Sequence, residues 1–193
     1  MVDLVGLHKH FIMEHLKEGD VAVDFTMGNG NDTLFLSKAV GESGRVYAFD
    51  IQEEALTSTK AHLDANGAPE NYTLICASHH RVKEFVNEPI KAGMFNLGYL
   101  PRSGKKAVTT MRETTMPAVE AALELLAPDG VLIVAIYPGH EEGALEGEML
   151  REYFSTLSRF RICPSEFKIL NSPTSPYFFL VEKSPRAEMP IIN

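Results

Sequence analysis

The sequence Asp24-Phe25-Thr26-Met27-Gly28-Asn29-Gly30-Asn31-Asp32-Thr33 indicates the fold class, because it joins an apolar run to a helical pattern through a turn with two glycines. Residues 21–26 have the composition of a buried strand, and residues 32–40 have helical periodicity. Gly28 and Gly30 permit a sharp turn and allow a ligand to approach the backbone closely. A strand, turn and helix in this order are typical of an open sheet with helices on both faces.

The same alternation of apolar runs and helical patterns continues outward from this turn. Further strands are predicted at residues 45–50, 72–77, 92–97 and 131–137. Helices are predicted at residues 4–17, 53–65, 110–126 and 142–157. The turn Pro128-Asp129-Gly130 is expected to stop a helix before the fifth strand. Nearly continuous apolar strands favour a sheet that is covered on both faces.

The C-terminal part has a different pattern. Residues 160–170 and 177–183 resemble strands, and residues 171–176 are too few for a crossover helix, so this pair is predicted to be antiparallel. The fold class is therefore α/β, a doubly wound, mostly parallel seven-stranded sheet with a C-terminal antiparallel hairpin. We expect one domain over residues 1–193, with an N-terminal helix within residues 1–20 and a tail at residues 185–193.

Composition and charge limit the classes of function. The chain has 193 residues, 45% hydrophobic and 23% charged, which excludes disordered, collagen-like and coiled-coil proteins. The net charge of −8 excludes binding to nucleic acid by overall positive charge, so such a partner would need a local patch. Cys76 and Cys163 lie far apart in apolar stretches, with neither zinc nor disulfide spacing, which favours a reducing compartment.

The apolar runs are also too short for a membrane protein. The longest run covers residues 131–137, and no secretory pattern is found at the N-terminus. We therefore predict a cytoplasmic protein without a membrane partner. Its composition is compatible with a homodimer but does not require one.

A nucleoside cofactor is predicted beside the glycine turn. Asp50 follows Gly30 by twenty residues and ends the second predicted strand, where a carboxylate can bind both hydroxyls of a ribose. A dinucleotide fingerprint would have a third glycine where this chain has Thr33. S-adenosylmethionine (SAM) has no pyrophosphate, so SAM is preferred over NAD. The simpler interpretation is that the glycines only close a turn and that Asp50 caps a helix.

The other parts of SAM also find candidate partners. Asp24 is predicted to meet its ammonium group, and backbone N–H groups near residues 30–32 its carboxylate. Ser78 or the backbone of His79, after the third strand, is predicted to bind adenine, although His79 and His80 also fit an exposed loop. These histidines lack further ligands at metal spacing, so no metal is predicted. The residues predicted to bind the cofactor are Asp24, Thr26, Gly28, Asn29, Gly30, Asn31, Asp32, Thr33, Asp50, Ile51, Gln52, Ser78, His79 and Asn96.

An acceptor site is predicted after the fourth strand, in Phe95-Asn96-Leu97-Gly98-Tyr99-Leu100-Pro101. The amide oxygen of Asn96 and a neighbouring carbonyl can accept the N–H hydrogens of an amine and direct its lone pair at a methyl donor, while Tyr99 can stack on a planar base. The alternative is a strand end with an Asx turn and a packed tyrosine. The stretch resembles the Asp/Asn-Pro-Pro-aromatic signature of amino-methyltransferases, with Leu97-Gly98 in place of the two prolines.

Two further candidates follow the fifth strand. His140 is a candidate base for the amine proton, because its ordinary pKa lies near neutrality, and Tyr137 is expected beside the acceptor. Both residues also fit structural roles. An amine can lose its proton to water before it docks, so the reaction does not require a base.

The whole chain resembles a bacterial family, the tRNA 5-aminomethyl-2-thiouridine methyltransferases, formerly labelled rRNA methylases. The resemblance rests on five stretches: Gly28-Asn29-Gly30-Asn31-Asp32-Thr33-Leu34-Phe35-Leu36, Val46-Tyr47-Ala48-Phe49-Asp50-Ile51-Gln52, Phe95-Asn96-Leu97-Gly98-Tyr99-Leu100-Pro101, Glu113-Thr114-Thr115 and Tyr137-Pro138-Gly139-His140-Glu141. It implies a class I SAM-dependent fold and methylation of the aminomethyl nitrogen of a wobble 2-thiouridine. Asn31 and Pro138 depart from the family, whose members often have His at both places.

A basic loop adjoins the predicted acceptor site. Residues 101–112 carry four basic side chains and no acid, and their predicted partner is the phosphates of a tRNA anticodon arm. The four are Arg102, Lys105, Lys106 and Arg112. A merely solvated loop is the alternative. A small-molecule amine methyltransferase and an NAD-dependent oxidoreductase are kept as other functions, and a non-enzymatic binding module is disfavoured by polar residues at three strand ends.

Overall fold

The computed structural model describes residues 4–97, 112–139 and 141–186, apart from the side chain of Val5. The helices are α1 Leu4–His15, α2 Asn31–Val40, α3 Glu53–Ala65, α4 Val82–Phe85, α5 Arg112–Leu125 and α6 Glu141–Ser155. The strands are β1 Val21–Asp24, β2 Arg45–Asp50, β3 Tyr72–Cys76, β4 Ile90–Leu97, β5 Leu126–Ile136, β6 Ile162–Phe167 and β7 Tyr177–Lys183. A short 3-10 helix, His79–Arg81, precedes α4.

The described strands form a seven-stranded sheet in the order β3-β2-β1-β4-β5-β7-β6. Strands β1 to β5 are parallel, and β7 runs antiparallel to both β5 and β6. This confirms the predicted doubly wound α/β sheet with its antiparallel hairpin. The strand order reverses between β1 and β4, and ligands bind such sheets beyond the carboxyl ends of the strands at this point.

The sheet is packed on both faces because its central strands alternate between two cores. In β5, Leu132 and Val134 belong to the core that contains Ala118 and Val119 of α5. Ile133 lies on the other face, in the core that contains Ile12 of α1. The period of two along the strand thus directs successive side chains into opposite layers.

The predicted turn at residues 128–130 lies inside β5 instead of before it. Helix α5 ends at Leu125, and the pairing of β4 with β5 shifts register between Ile90 and Ala92, which pair with Leu126 and Val131. Asp129 has φ of 57°, so the turn residues form a bulge in the strand.

The structure adds one helical segment, at residues 79–85, for which no element was predicted. One smaller prediction is corrected. Cys76 and Cys163 are exposed, because they lie on β3 and β6, the two edge strands of the sheet. Their apolar neighbours in sequence therefore do not surround them in space.

No helix among the described residues is long and apolar enough to cross a membrane. The same residues contain no cluster of three or more His, Cys, Asp or Glu side chains suited to a metal ion.

Candidate active site

The turn between β1 and α2 is shaped by glycine and supported by α3. Gly28 and Gly30 have φ of 53° and 80°, in the left-handed region that favours glycine. A Cβ atom on Gly30 would lie 2.8 Å from Cγ2 of Thr59. The hydroxyl of Thr59, a buried residue of α3, donates a hydrogen bond to the carbonyl oxygen of Gly28 at 3.1 Å. Close packing against α3 therefore fixes the turn.

Asp24 holds this turn from inside. It is completely buried, and its carboxylate accepts hydrogen bonds from the Thr26 N–H at 3.0 Å and the Thr33 hydroxyl at 2.6 Å. Burial, reinforced by the charge of Asp32, raises the pKa of Asp24 to about 7. The carboxylate has no exposed oxygen for the predicted contact with the ammonium group of SAM. In this conformation Asp24 acts as an anchor of the turn.

Asp50 connects the ends of β1 and β2. Its Oδ2 accepts the N–H of Gly28 and its Oδ1 the N–H of Gln52, both at 3.0 Å. Each carboxylate oxygen has further lone-pair capacity, which suits the two hydroxyls of a ribose. The next side chain, Ile51, is apolar and 56% exposed, as expected of a residue that covers an adenine ring. These features fit the nucleoside end of SAM.

The two histidines after β3, His79 and His80, lie in different environments. His79 is buried with its ring edge against Phe95, and its Nδ1 donates to the carbonyl oxygen of Phe25 at 3.2 Å. Burial lowers the pKa of His79 to about 4, so the ring is neutral at pH 7. Its side chain therefore belongs to the core. His80 is exposed and its Nδ1 lies 2.9 Å from the hydroxyl of Ser78.

Asn96, at the end of β4, is held from three directions. Its backbone N–H donates to the hydroxyl of Thr26 at 2.7 Å. Its amide nitrogen donates a short hydrogen bond to Oδ2 of Asp32, and its amide oxygen accepts from the hydroxyl of Tyr137 at 3.4 Å. The structure thus brings together four predicted residues: Thr26 and Asp32 from the segment after β1, Asn96 from the end of β4 and Tyr137 from the segment after β5.

The charge of Asp32 acts on Tyr137 and on Lys9. Burial and the charge of Asp32 raise the pKa of Tyr137, so its hydroxyl remains protonated and is a donor at neutral pH. Lys9 of α1 places its Nζ 3.4 Å from Oδ1 of Asp32 and 5.1 Å from the ring centre of Phe35. A cation therefore lies on the far side of the carboxylate that holds Asn96.

The remaining predicted residues lie outside the described part or at its border. Tyr99, His140, Arg102, Lys105 and Lys106 lie outside the described residues. Arg112 is described, and its Nε lies 3.0 Å from Oε1 of Glu142. An acid thus compensates part of the positive charge predicted for RNA binding.

Sequence reasoning missed Lys9 and Thr59. Lys9 lies 23 positions before Asp32, and one lysine on an amphipathic helix carries no signal of a site. Thr59 lies on the buried face of α3, and its β-branched side chain was the only sign of a packed position. Only the packing of α1 and α3 reveals these contacts.

Comparison with known proteins assigns the chain to a family. Residues 46–183 match the family model described as "Putative rRNA methylase". The chain belongs to this family. It is 37% identical over 185 residues to the chloroplastic tRNA (mnm(5)s(2)U34)-methyltransferase of Arabidopsis thaliana, with 90% of this chain and 67% of the plant protein covered.

Solved structures agree with this assignment. A "putative rRNA-methylase" from Clostridium thermocellum superposes with a TM-score of 0.90 at 38% identity, covering 95% of this chain and 98% of the other. A "putative methyltransferase" from Streptococcus mutans, solved in complex with SAH, superposes with a TM-score of 0.85 at 34% identity, covering 95% of this chain and 99% of the other. The protein is a SAM-dependent methyltransferase, and the predicted enzyme class and cofactor are confirmed.

Proposed function

We propose that the enzyme methylates the aminomethyl nitrogen of wobble 5-aminomethyl-2-thiouridine in tRNA. The observation that carries this proposal is the orientation of the Asn96 amide, whose nitrogen faces Asp32 and whose oxygen faces Tyr137. The amide oxygen of Asn96 has a second lone pair, which can accept an N–H of the substrate amine. The plant relative, whose printed name gives a wobble uridine of tRNA as its substrate, supports the same choice.

The charge of the site also suits an amine substrate. Asp32 lies in the first turn of α2, Asp50 ends β2, and the buried Asp24 ends β1. An aminomethyl group is a cation in water near neutral pH, so a negative strand edge raises its local concentration. It must then lose a proton, because only the neutral amine has a lone pair for the methyl group.

The transfer itself needs alignment more than acid–base chemistry. SAM supplies a methyl group already activated by its sulfonium. The amide oxygen of Asn96 accepts one amine N–H and thereby directs the nitrogen lone pair, and Tyr137 donates to the same oxygen. Alignment of this kind lowers a barrier by several kcal/mol. The bond between nitrogen and the methyl carbon forms as the carbon–sulfur bond breaks, and a proton leaves the nitrogen to water or a base.

The protonated state of Tyr137 disfavours it as that base. Burial and Asp32 raise its pKa, so its hydroxyl holds its proton at neutral pH and orients Asn96. His140 remains the predicted base, and Tyr99 remains the predicted stacking residue for the uridine ring. Ser78 and the backbone of His79 are proposed to bind adenine, and Asp50 is proposed to bind the ribose.

RNA contact is assigned to the loop that carries Arg102, Lys105 and Lys106. Arg112 would reach a phosphate only in competition with Glu142. We expect Lys105→Glu with Lys106→Glu to raise KM for tRNA and leave SAM affinity unchanged, because the loop faces the anticodon arm in this proposal. The cytoplasm is the proposed location.

A second candidate is methylation of a small amine. The net charge of −8 and the pairing of Arg112 with Glu142 favour it, since both weaken phosphate binding. This enzyme would act on free amines and be indifferent to added RNA.

One experiment separates these functions. The protein and SAM are incubated with tRNA from cells that lack this methylation, and the digested nucleosides are read by mass spectrometry. We expect methylaminomethyl-thiouridine to appear as the aminomethyl form disappears, and to appear much more slowly with the Asn96→Ala variant. SAM binding without any methylated nucleoside would contradict the RNA substrate and leave the small amine. Light scattering of the purified protein determines whether the chain is a monomer or a homodimer.

A further inference from the structure

We infer that Asp32 is a positioning residue that fixes the amide of Asn96 for catalysis, with Lys9 as its counter-ion. This inference rests on the proposed amine methylation and adds to it a pair of residues outside the acceptor strand. Asp32 lies in the first turn of α2, and Lys9 lies on α1. Neither residue needs to touch the amine to act.

The contact between Asp32 and Asn96 determines which way the amide points. A carboxylate accepts hydrogen bonds and donates none, so the group that faces Oδ2 of Asp32 must be the amide NH₂. The amide oxygen then faces the opposite side, where the hydroxyl of Tyr137 lies at 3.4 Å. Reversing the amide would place an oxygen against the carboxylate, which the charge of Asp32 opposes.

Without this constraint, the amide would lose its function as an acceptor. An asparagine side chain can rotate to exchange its NH₂ and oxygen, which are nearly equal in shape. The rotated amide would point hydrogens at the substrate nitrogen, where the lone pair must be free. Tyr137 alone does not prevent this rotation, because its hydroxyl oxygen can also accept a hydrogen bond from an NH₂.

Lys9 gives the carboxylate its second partner. Its Nζ lies 3.4 Å from Oδ1, the oxygen that does not face Asn96, so the two oxygens of Asp32 have separate partners. The side chains of Asp32 and Lys9 are 15% and 31% exposed. Burial, and after it the charge of Asp32, raise the pKa of Asp24, so these two acids interact. Lys9 thus places a positive charge beside Asp32, whose own charge acts on Asp24.

The kinetic test is a double-mutant cycle on the proposed tRNA substrate. Asp32→Ala should lower kcat about 10- to 100-fold, the usual effect of removing a hydrogen bond to a charged group. Asp32→Asn should lose less, because its amide oxygen can still accept from Asn96. In an Asn96→Ala background, Asp32→Ala should change kcat by less than about twofold, since no amide is left to orient.

Binding measurements separate positioning from direct contact with the cofactor. Titration calorimetry of Asp32→Ala should show a SAM affinity close to that of the wild type. A loss of SAM affinity as large as the loss of kcat would overturn the inference. So would a loss of kcat on Asp32→Ala that is as large in the Asn96→Ala background as in the wild type. Lys9→Met should lower kcat several-fold, and Lys9→Arg should restore it. Asp64→Ala, which removes an exposed acid paired with Lys60 on α3, is the matched control.

A spectroscopic test needs no substrate and therefore survives failure of the proposed function. The side-chain amide signals of Asn96 can be assigned in ¹⁵N spectra by their absence from Asn96→Ala. We expect them to exchange slowly with water in the wild type, and much faster in Asp32→Ala. Unchanged exchange would overturn the role of Asp32. If the exchange rates of the Asn96 amide change as expected in Asp32→Ala but tRNA is not methylated, only the assigned substrate is wrong.

Discussion

Replacing Gly30 with alanine tests whether the turn after β1 is shaped by packing against α3. Gly30 has φ of 80°, a left-handed conformation that costs an L-residue about 1 kcal/mol. The new methyl group would lie 2.8 Å from Cγ2 and 3.1 Å from Cα of Thr59, which adds about 1–3 kcal/mol of overpacking. We therefore expect the free energy of unfolding to fall by about 2–4 kcal/mol.

Gly67→Ala is the matched control, because Gly67 also has a left-handed φ, 60°, but nothing within 4 Å of an added Cβ. It should lose only about 1 kcal/mol. Urea unfolding measures the free energy of unfolding of both variants. Titration calorimetry measures their affinity for SAM and so reports on the turn as a binding element. We expect weakened SAM binding for Gly30→Ala alone. Equal losses of stability in the two variants, or wild-type SAM affinity in Gly30→Ala, would refute the role of the contact with Thr59.

Three further outcomes follow from the same cluster of residues. Burial holds the pKa of Asp24 at about 7, so the native chain keeps a proton that the unfolded chain loses. As the pH rises from about 4 to 7, the free energy of unfolding of the wild type should therefore fall. That of Asp24→Asn should not fall for this reason, and urea unfolding across this pH range measures both. Asn96→Ala should lower kcat far more than SAM affinity, whereas equal losses would indicate a role in folding. Asp50→Ala should weaken SAM binding about tenfold or more by calorimetry, because it removes a carboxylate that also orders the Gly28 and Gln52 backbone.

The sequence predicted the parts of the site that depend on local chain geometry. The glycine turn, Asp50 at a fixed spacing and Asn96 at a strand end are local features, and the sheet order brings them together. It could not predict Lys9, because the ion pair with Asp32 depends on where α1 packs. The burial of His79 was missed for the same reason: its ring is covered by neighbours distant in sequence, among them Phe95.

The bulge in β5 illustrates a different limit. Pro128-Asp129-Gly130 has the composition of a turn, and the left-handed φ of Asp129 agrees with that local signal. Tertiary contacts nevertheless keep the segment in the sheet. Nδ1 of His15 donates to the carbonyl oxygen of Asp129 at 3.0 Å, and Nζ of Lys91 donates to that of Pro128 at 3.1 Å. Local propensity therefore gave the conformation correctly and its place in the fold incorrectly.

The distribution of charge bears on the proposal that an acidic protein acts on RNA. The carboxylates at the strand ends attract cations, and both the protonated aminomethyl group and the sulfonium of SAM are cations. Phosphates are anions and need positive charge. Among the described residues, Lys9 and Arg112 are each paired with an acid, Asp32 and Glu142. The proposed function therefore depends on a small basic loop for RNA affinity and on the acidic strand ends for the amine. In this proposal the two fields act on different parts of the substrate, so the net charge of −8 weakens phosphate binding outside the basic loop and favours binding of the amine.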